Sequence, residues 1–234
     1  MATPNNPNQP KQPDPKAVEA RRLVEAGLAH FRAGRLPKAQ AAYRQALKVV
    51  PGHPRALHLL GMVAHQVSRY PLAVKLISQA IERRPNVPLF HNNLGNALRQ
   101  MGKGEASLKA YERAIALKPN MSQAYTNLGL AYFDLGRTNE SLVAHSRALE
   151  LSPNSMVAKW GAYLTLPVIY DSEADIGRHR ARRRKGVETL LEELDVSTPA
   201  KAREAANAVI LMTNFYLSFQ GRNDIEEQTL YGQL

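Results

Sequence analysis

Proline recurs on a fixed step in this chain: Pro51, Pro85, Pro119 and Pro153 are each 34 residues apart. Other residues keep the same step. Ala46, Ala80, Ala114 and Ala148 are in phase, as are Gly27, Gly61, Gly95 and Gly129. A bulky column runs through Tyr43, Ile77, Tyr111 and His145, and Gly34, Gly102 and Gly136 recur with Ser68 in the remaining copy. Self-similarity at a period of 20–50 residues marks a stack of supersecondary units, each too small to bury its own apolar face. The columns have physical readings. A glycine in the first column lets two helices cross closely, and the bulky column fills the space between neighbouring repeats. The Gly34 position ends the first helix of a pair in a left-handed cap. The proline closes the repeat, because it cannot continue a helix interior.

A 34-residue period with these columns resembles the tetratricopeptide-repeat (TPR) family, over residues 20–153. The resemblance implies an all-α fold, a right-handed α-α superhelix (a TPR solenoid), here with a C-terminal helical extension. Expected boundaries are a disordered tail at 1–16, rich in Pro, Asn and Gln, and four repeats at 17–153. A capping helix and linker follow at 154–170, then a helical extension at 171–234. Two positions depart from the family pattern: Ala26 where leucine is usual, and His145 where a large aromatic is usual. Terminal repeats are often atypical.

Stacked helix pairs make a concave face lined by the first helix of each pair, suited to an extended peptide or a helix. By repeat phase, one inward column is Glu25, Leu59, Asn93 and Asn127, and its neighbour is Val24, His58, Asn92 and Thr126. Leu28, Met62, Asn96 and Leu130 come next, then Phe31, His65, Arg99 and Phe133. Asparagine is a poor helix-interior residue, so its recurrence here invites a reason. An amide both donates to and accepts from a peptide backbone, so Asn93 and Asn127 can form a ladder that holds an extended chain. The competing reading is plain solvated polar side chains. The candidate peptide-binding residues are therefore Asn93, Asn127, Asn92, Asn96, Arg99, His58 and His65, and the expected partner is a protein or peptide ligand.

After Pro153 the strict period fades. Residues 155–165 read as a helix that caps the last repeat with Trp160 and Tyr163. Ser172 with Asp175 three residues on reads as a capping box, opening an amphipathic helix to about Leu194. Residues 178–185 hold six Arg/Lys. A nucleic-acid or nuclear-localisation patch is one reading. The favoured one is a basic outer face paired with Glu188, Glu192 and Glu193, since short basic runs are common. Residues 200–220 give another helical pattern, with Phe215, Tyr216, Leu217 and Phe219 too apolar to stay exposed. Residues 166–176 and 213–224 (LPVIYDSEADI and TNFYLSFQGRND) resemble the linker of bacterial TPR-containing O-linked N-acetylglucosamine transferase-like proteins. That resemblance implies a substrate-presenting TPR region ahead of UDP-sugar-binding catalytic lobes, which are absent here. It also implies an asparagine ladder, which maps onto Asn93 and Asn127 only, the earlier rungs being Glu25 and Leu59.

Composition removes several alternatives. The chain has no cysteine, which excludes disulfides, thiolate nucleophiles and cysteine-ligated zinc, and fits a reducing, cytoplasmic setting. No apolar run is long enough for a membrane span, and the N-terminus lacks a signal-peptide core. Gly102-Lys103-Gly104 reads as a turn rather than a phosphate loop. His58 and His65 share a helix face, but no carboxylate completes a metal set. No catalytic residue, cofactor or metal is expected. Net charge is +11. Residues 1–153 carry 21 Lys/Arg against 9 Asp/Glu, and residues 154–234 carry 10 against 11. A solvated basic surface is favoured over an acidic partner, because the charges are spread along helices and not interleaved with aromatics. The leading expectation is a protein-binding scaffold that forms the substrate-recognition region of an O-GlcNAc transferase-like glycosyltransferase. The alternatives are a stand-alone TPR adaptor and, more weakly, a nucleic-acid-associated protein.

Overall fold

Helix starts follow from proline chemistry. Pro15, Pro54 and Pro88 open α1 (Pro15–Arg32), α3 (Pro54–Gln66) and α5 (Pro88–Gln100), where a missing N–H is no loss. Pro37 and Pro71 hold the second position of α2 (Leu36–Val49) and α4 (Tyr70–Arg83). The later helices are α6 (Gly104–Leu117), α7 (Ser122–Asp134), α8 (Thr138–Leu151), α9 (Met156–Leu164) and α10 (Glu173–Glu193). The structure is a computed structural model that describes residues 14–167, 170–193 and 197–203. No strand occurs among the described residues. Helix α1 begins inside the stretch read as a tail, because the Asp14 carboxylate accepts a hydrogen bond from the Lys16 N–H at 3.0 Å and caps it.

All four first helices end alike. Gly34, Ser68, Gly102 and Gly136 have φ of +70°, +57°, +69° and +72°. The next N–H reaches back five residues in each case, Arg35 to His30, Arg69 to Ala64, Lys103 to Leu98 and Arg137 to Tyr132, at 2.8–3.0 Å. That is the left-handed C-terminal motif that glycine favours, and Ser68 adopts it without glycine. The prolines of the 34-residue step each lie two residues beyond the last residue of α2, α4, α6 or α8.

The chain divides into two compact units, Met1–Phe90 and His91–Leu234. In the first, α1 packs on α2 and α3 on α4. A Cβ on Gly27 would lie 2.4 Å from the Tyr43 ring, and one on Gly61 would lie 2.7 Å from Ile77. Tyr43, Ile77 and the alanines Ala39, Ala46, Ala73 and Ala80 are fully buried. The bulky column thus lies on the glycine column sixteen residues earlier, helix against helix.

The second unit repeats the arrangement. A Cβ on Gly95 would meet the Tyr111 ring at 2.5 Å, and one on Gly129 would meet His145 at 2.7 Å. Helix α9 packs on α8 and α7, and α10 packs on α9. Trp160, Leu130, Leu164, Val187 and Leu190 form one buried cluster. Ser155 caps α9 and Ser172 caps α10, where the Asp175 N–H donates to Ser172 Oγ at 3.1 Å. The aromatic stretch Phe215 to Phe219 and residues 213–224 lie outside the described residues.

Candidate functional site

In the second unit, α5 and α7 present the asparagines. Asn127 Nδ2 donates to Asn92 Oδ1 at 3.0 Å, and Asn92 Nδ2 donates to Asn93 Oδ1 at 3.2 Å. Asn92 is fully buried and Asn93 is 6% exposed, whereas Asn127 is half-buried. The three amides form one chain of dipoles, and Asn92 joins the two helices. Asn127 keeps its Oδ1 without a partner among the described residues. Asn96 Oδ1 accepts from the Tyr111 hydroxyl at 2.8 Å, which leaves its amide N–H groups for another acceptor. Arg99 reaches Asp134 through Nε and Nη2, at 2.5 and 3.3 Å. Both helix-to-helix links join residues 35 apart. Phase alone groups residues 34 apart, so it sets Arg99 beside Phe133 and misses Asp134. Adjacent helices face each other with different sides, so touching positions are offset from equivalent ones.

In the first unit, α3 carries His58 and His65. His58 is 3% exposed and stacks on Phe90 with ring centroids 4.5 Å apart. Burial first, and the Arg55 charge second, push its pKa down to about 4, so the ring is neutral at pH 7. His65 is half-buried and lies edge-on to Tyr70 at 5.4 Å. Arg55 pairs with Glu25 across α3 and α1. Among the described residues no three His, Asp or Glu side chains come together as a metal site.

The basic run of α10 differs from both expectations. Arg183 and Arg180 are buried, at 2% and 9% exposure. Arg182 Nη1 donates to the carbonyls of Ala162 and Tyr163, both at 2.8 Å, and Nη2 donates to that of Thr165. The guanidinium caps the C-terminal end of α9, where orphan carbonyls concentrate negative charge. Glu193 pairs with Lys159 of α9 rather than with a residue of the run. Long arginine stems pack while their heads find carbonyls, which a count of charges does not reveal. Arg182→Ala is expected to cost the second unit about 2 kcal/mol, as charge-assisted bonds to buried carbonyls are lost. Trp160 emission should shift to longer wavelength as α10 loosens. An unchanged emission spectrum and urea midpoint would refute this role.

Tetratricopeptide-repeat family profiles match residues 24–88 and 122–155, and a TPR repeat profile matches residues 95–136. Together these matches span more than half of the chain. The chain belongs to the tetratricopeptide-repeat family. No curated protein is significantly similar in sequence. Among solved structures, a crystal structure of MamA is similar over 77% of this chain and 96% of its own, at 22% identity and a TM-score of 0.61. A variant of the Thermobaculum terrenum O-GlcNAc transferase is similar over 59% of this chain and 27% of its own, at 24% identity and a TM-score of 0.56. The Cut9–Hcn1 hetero-tetramer of the APC/C is similar over 61% of this chain and 29% of its own, at 20% identity and a TM-score of 0.58. These likenesses speak for the fold.

TPR helix pairs bind protein partners, and this TPR chain is a protein–protein interaction scaffold. No described helix is long and apolar enough to cross a membrane. Of the expected TPR site residues, Asn92, Asn93 and Asn127 are brought together, and Arg99 is held by Asp134. Asn96 is engaged by Tyr111, and His58 lies in the packed interior of the first unit. What the site offers is hydrogen bonding: part-used amides on α5 and α7, with no nucleophile–base pair beside them.

Proposed function

We propose that this chain holds extended polypeptide along the first helices of its repeats, as the substrate-recognition part of a protein O-glycosyltransferase of the O-GlcNAc transferase type. The observation that carries the reading is the linked amide set Asn93–Asn92–Asn127. Its outermost member retains an unused carbonyl oxygen on a half-buried helix face. A substrate-presenting scaffold must accept many sequences, and amides achieve this by bonding the peptide backbone rather than its side chains. The resemblance of residues 166–176 and 213–224 to the transferase linker, and the fold likeness to the Thermobaculum terrenum enzyme, support it. The chain spans about a quarter of that enzyme, so transfer chemistry belongs to lobes outside this sequence.

A stand-alone adaptor is the second reading, favoured by the match to nearly the full length of MamA. A random peptide library separates the two. The transferase reading expects selected peptides with little side-chain consensus, whose binding falls at least tenfold when backbone nitrogens are methylated or Asn127 is replaced by alanine. A narrow consensus that tolerates N-methylation would reject it in favour of the adaptor.

A further inference from the structure

The first unit holds a groove of about 770 Å³ between α1 and α3, bounded on one side by Val87, Leu89 and Phe90. Its α1 wall is a single stripe, Arg21, Val24, Leu28 and Arg32, at helical spacings of three, four and four. One arginine stands at each end and two aliphatic side chains lie between. The ends are about 16 Å apart along the helix axis, at 1.5 Å per residue. Arg84, at the C-terminal end of α4, adds a third guanidinium. Leu89 is 45% exposed beside them.

The balance of charge here is uneven. Residues 14–90 carry 13 Lys/Arg and four Asp/Glu. Of those acids, Asp14 caps α1, Glu19 pairs with Arg22, and Glu25 is already held by Arg55. Glu82 lies on α4 and does not line the groove. Arg21, Arg32 and Arg84 have no carboxylate partner among the described residues. Three guanidiniums therefore face one groove with its only neighbouring carboxylate occupied.

We propose that this groove binds an extended protein segment in which two internal carboxylates, about five residues apart, flank an apolar side chain. Five residues of extended chain span about 16 Å, matching the separation of Arg21 and Arg32. The Val24–Leu28 floor takes the apolar side chain, and guanidiniums take the carboxylates in forked hydrogen bonds. An aliphatic floor favours a protein segment over nucleic acid. The aromatic of the groove, Phe90, is 5% exposed and stacked on His58, so its face is not open to a base. The proposal rests on the scaffold reading and narrows it to one partner chemistry.

The test uses the full chain and a fluorescein-labelled ten-residue peptide, acetylated and amidated, with two glutamates five positions apart and a leucine between them. Anisotropy should show binding that weakens about tenfold when both glutamates are glutamine. It should also weaken about tenfold in the Arg21→Gln, Arg84→Gln double variant. Arg44→Gln, an equal loss of charge on α2 outside this groove, should leave it unchanged, with circular dichroism confirming that both variants unfold as the parent does. Equal affinity for the glutamate and glutamine peptides would overturn the proposal and leave the scaffold reading standing. So would equal losses in the Arg44 and Arg21/Arg84 variants. Failure of every peptide, including those from the random library, would count against the scaffold reading as well. Displacement of the peptide by oligo-dT, lost in the Arg21/Arg84 variant, would assign the groove to nucleic acid instead.

Discussion

Gly161→Ala should destabilise the second unit by about 3 kcal/mol, the upper part of the range for overpacking a filled core. A Cβ at this position would lie 2.3 Å from His145 Nδ1 and within 2.5 Å of two more ring atoms. Relief by moving the ring is blocked, because Gly129 approaches it too: a Cβ there would stand 2.7 Å away. His145 is fully buried between α7, α8 and α9, so either α9 is pushed outward or the ring leaves its rotamer. The same chemical change at Gly177, where a Cβ would meet nothing within 4 Å, should instead stabilise α10 by about 0.5–1 kcal/mol through helix propensity. Urea unfolding followed at Trp160, the chain's only tryptophan, measures both. Equal effects of the two substitutions would show that the ring is not clamped.

Acid should unfold this protein from its histidines. Burial pushes the pKa of His58 and of His145 down to about 4, from an ordinary 6.5, with Arg55 and Arg99 respectively adding to the shift. The neutral ring is the folded form. Above pH 6.5 neither the folded nor the unfolded ring is protonated, and the contribution is complete. Between 6.5 and 4 the unfolded chain takes a proton that the folded one refuses, so stability falls by about 1.4 kcal/mol per pH unit for each histidine. Each unit then loses about 3 kcal/mol by pH 4, and no more from this source below it. His145→Phe keeps a ring in the socket that holds Tyr43 and Tyr111 in other repeats, and should flatten the acid limb of the Trp160 transition. His58→Leu should do the same for the first unit, read by far-ultraviolet circular dichroism. If the two variants keep the parent's slope between pH 6.5 and 4, other groups carry the acid sensitivity.

The sequence was most readable where one residue type has one use. Glycine at 27, 61, 95 and 129, with a bulky residue sixteen positions later, predicted a helix crossing, and the same pairs meet in each repeat. The left-handed caps at 34, 102 and 136 were equally legible, and their phase exposed Ser68 as the fourth. The amide set was legible only in part. Periodicity grouped Asn93 with Asn127, but Asn92 makes the bond, since touching positions on adjacent helices are offset by one residue from the repeat. Asp134 went unnoticed for the same reason. The arginines of α10 were misplaced because a charged head on a long stem fits a buried carbonyl cluster as readily as solvent. A run of one sign does not distinguish the two until the neighbouring helix end is in place. His145 looked like a weakened aromatic position. Its burial between two glycines shows a ring serving as a filler, with a proton-binding cost the tyrosines do not carry.

Helix α10 lies across α9 so closely that a Cβ on Gly186 would come within 2.4 Å of Tyr163 Cβ and 3.2 Å of its backbone. In a stack of like units, the last helix pair offers the surface that every earlier pair offers its successor. Left bare, such a surface accepts the next copy of the protein in a contact that does not close on itself, which is how filaments grow. By seating Trp160, Leu164 and Leu130 under a helix of different sequence and direction, the chain sets its own length at this end and stays out of polymers.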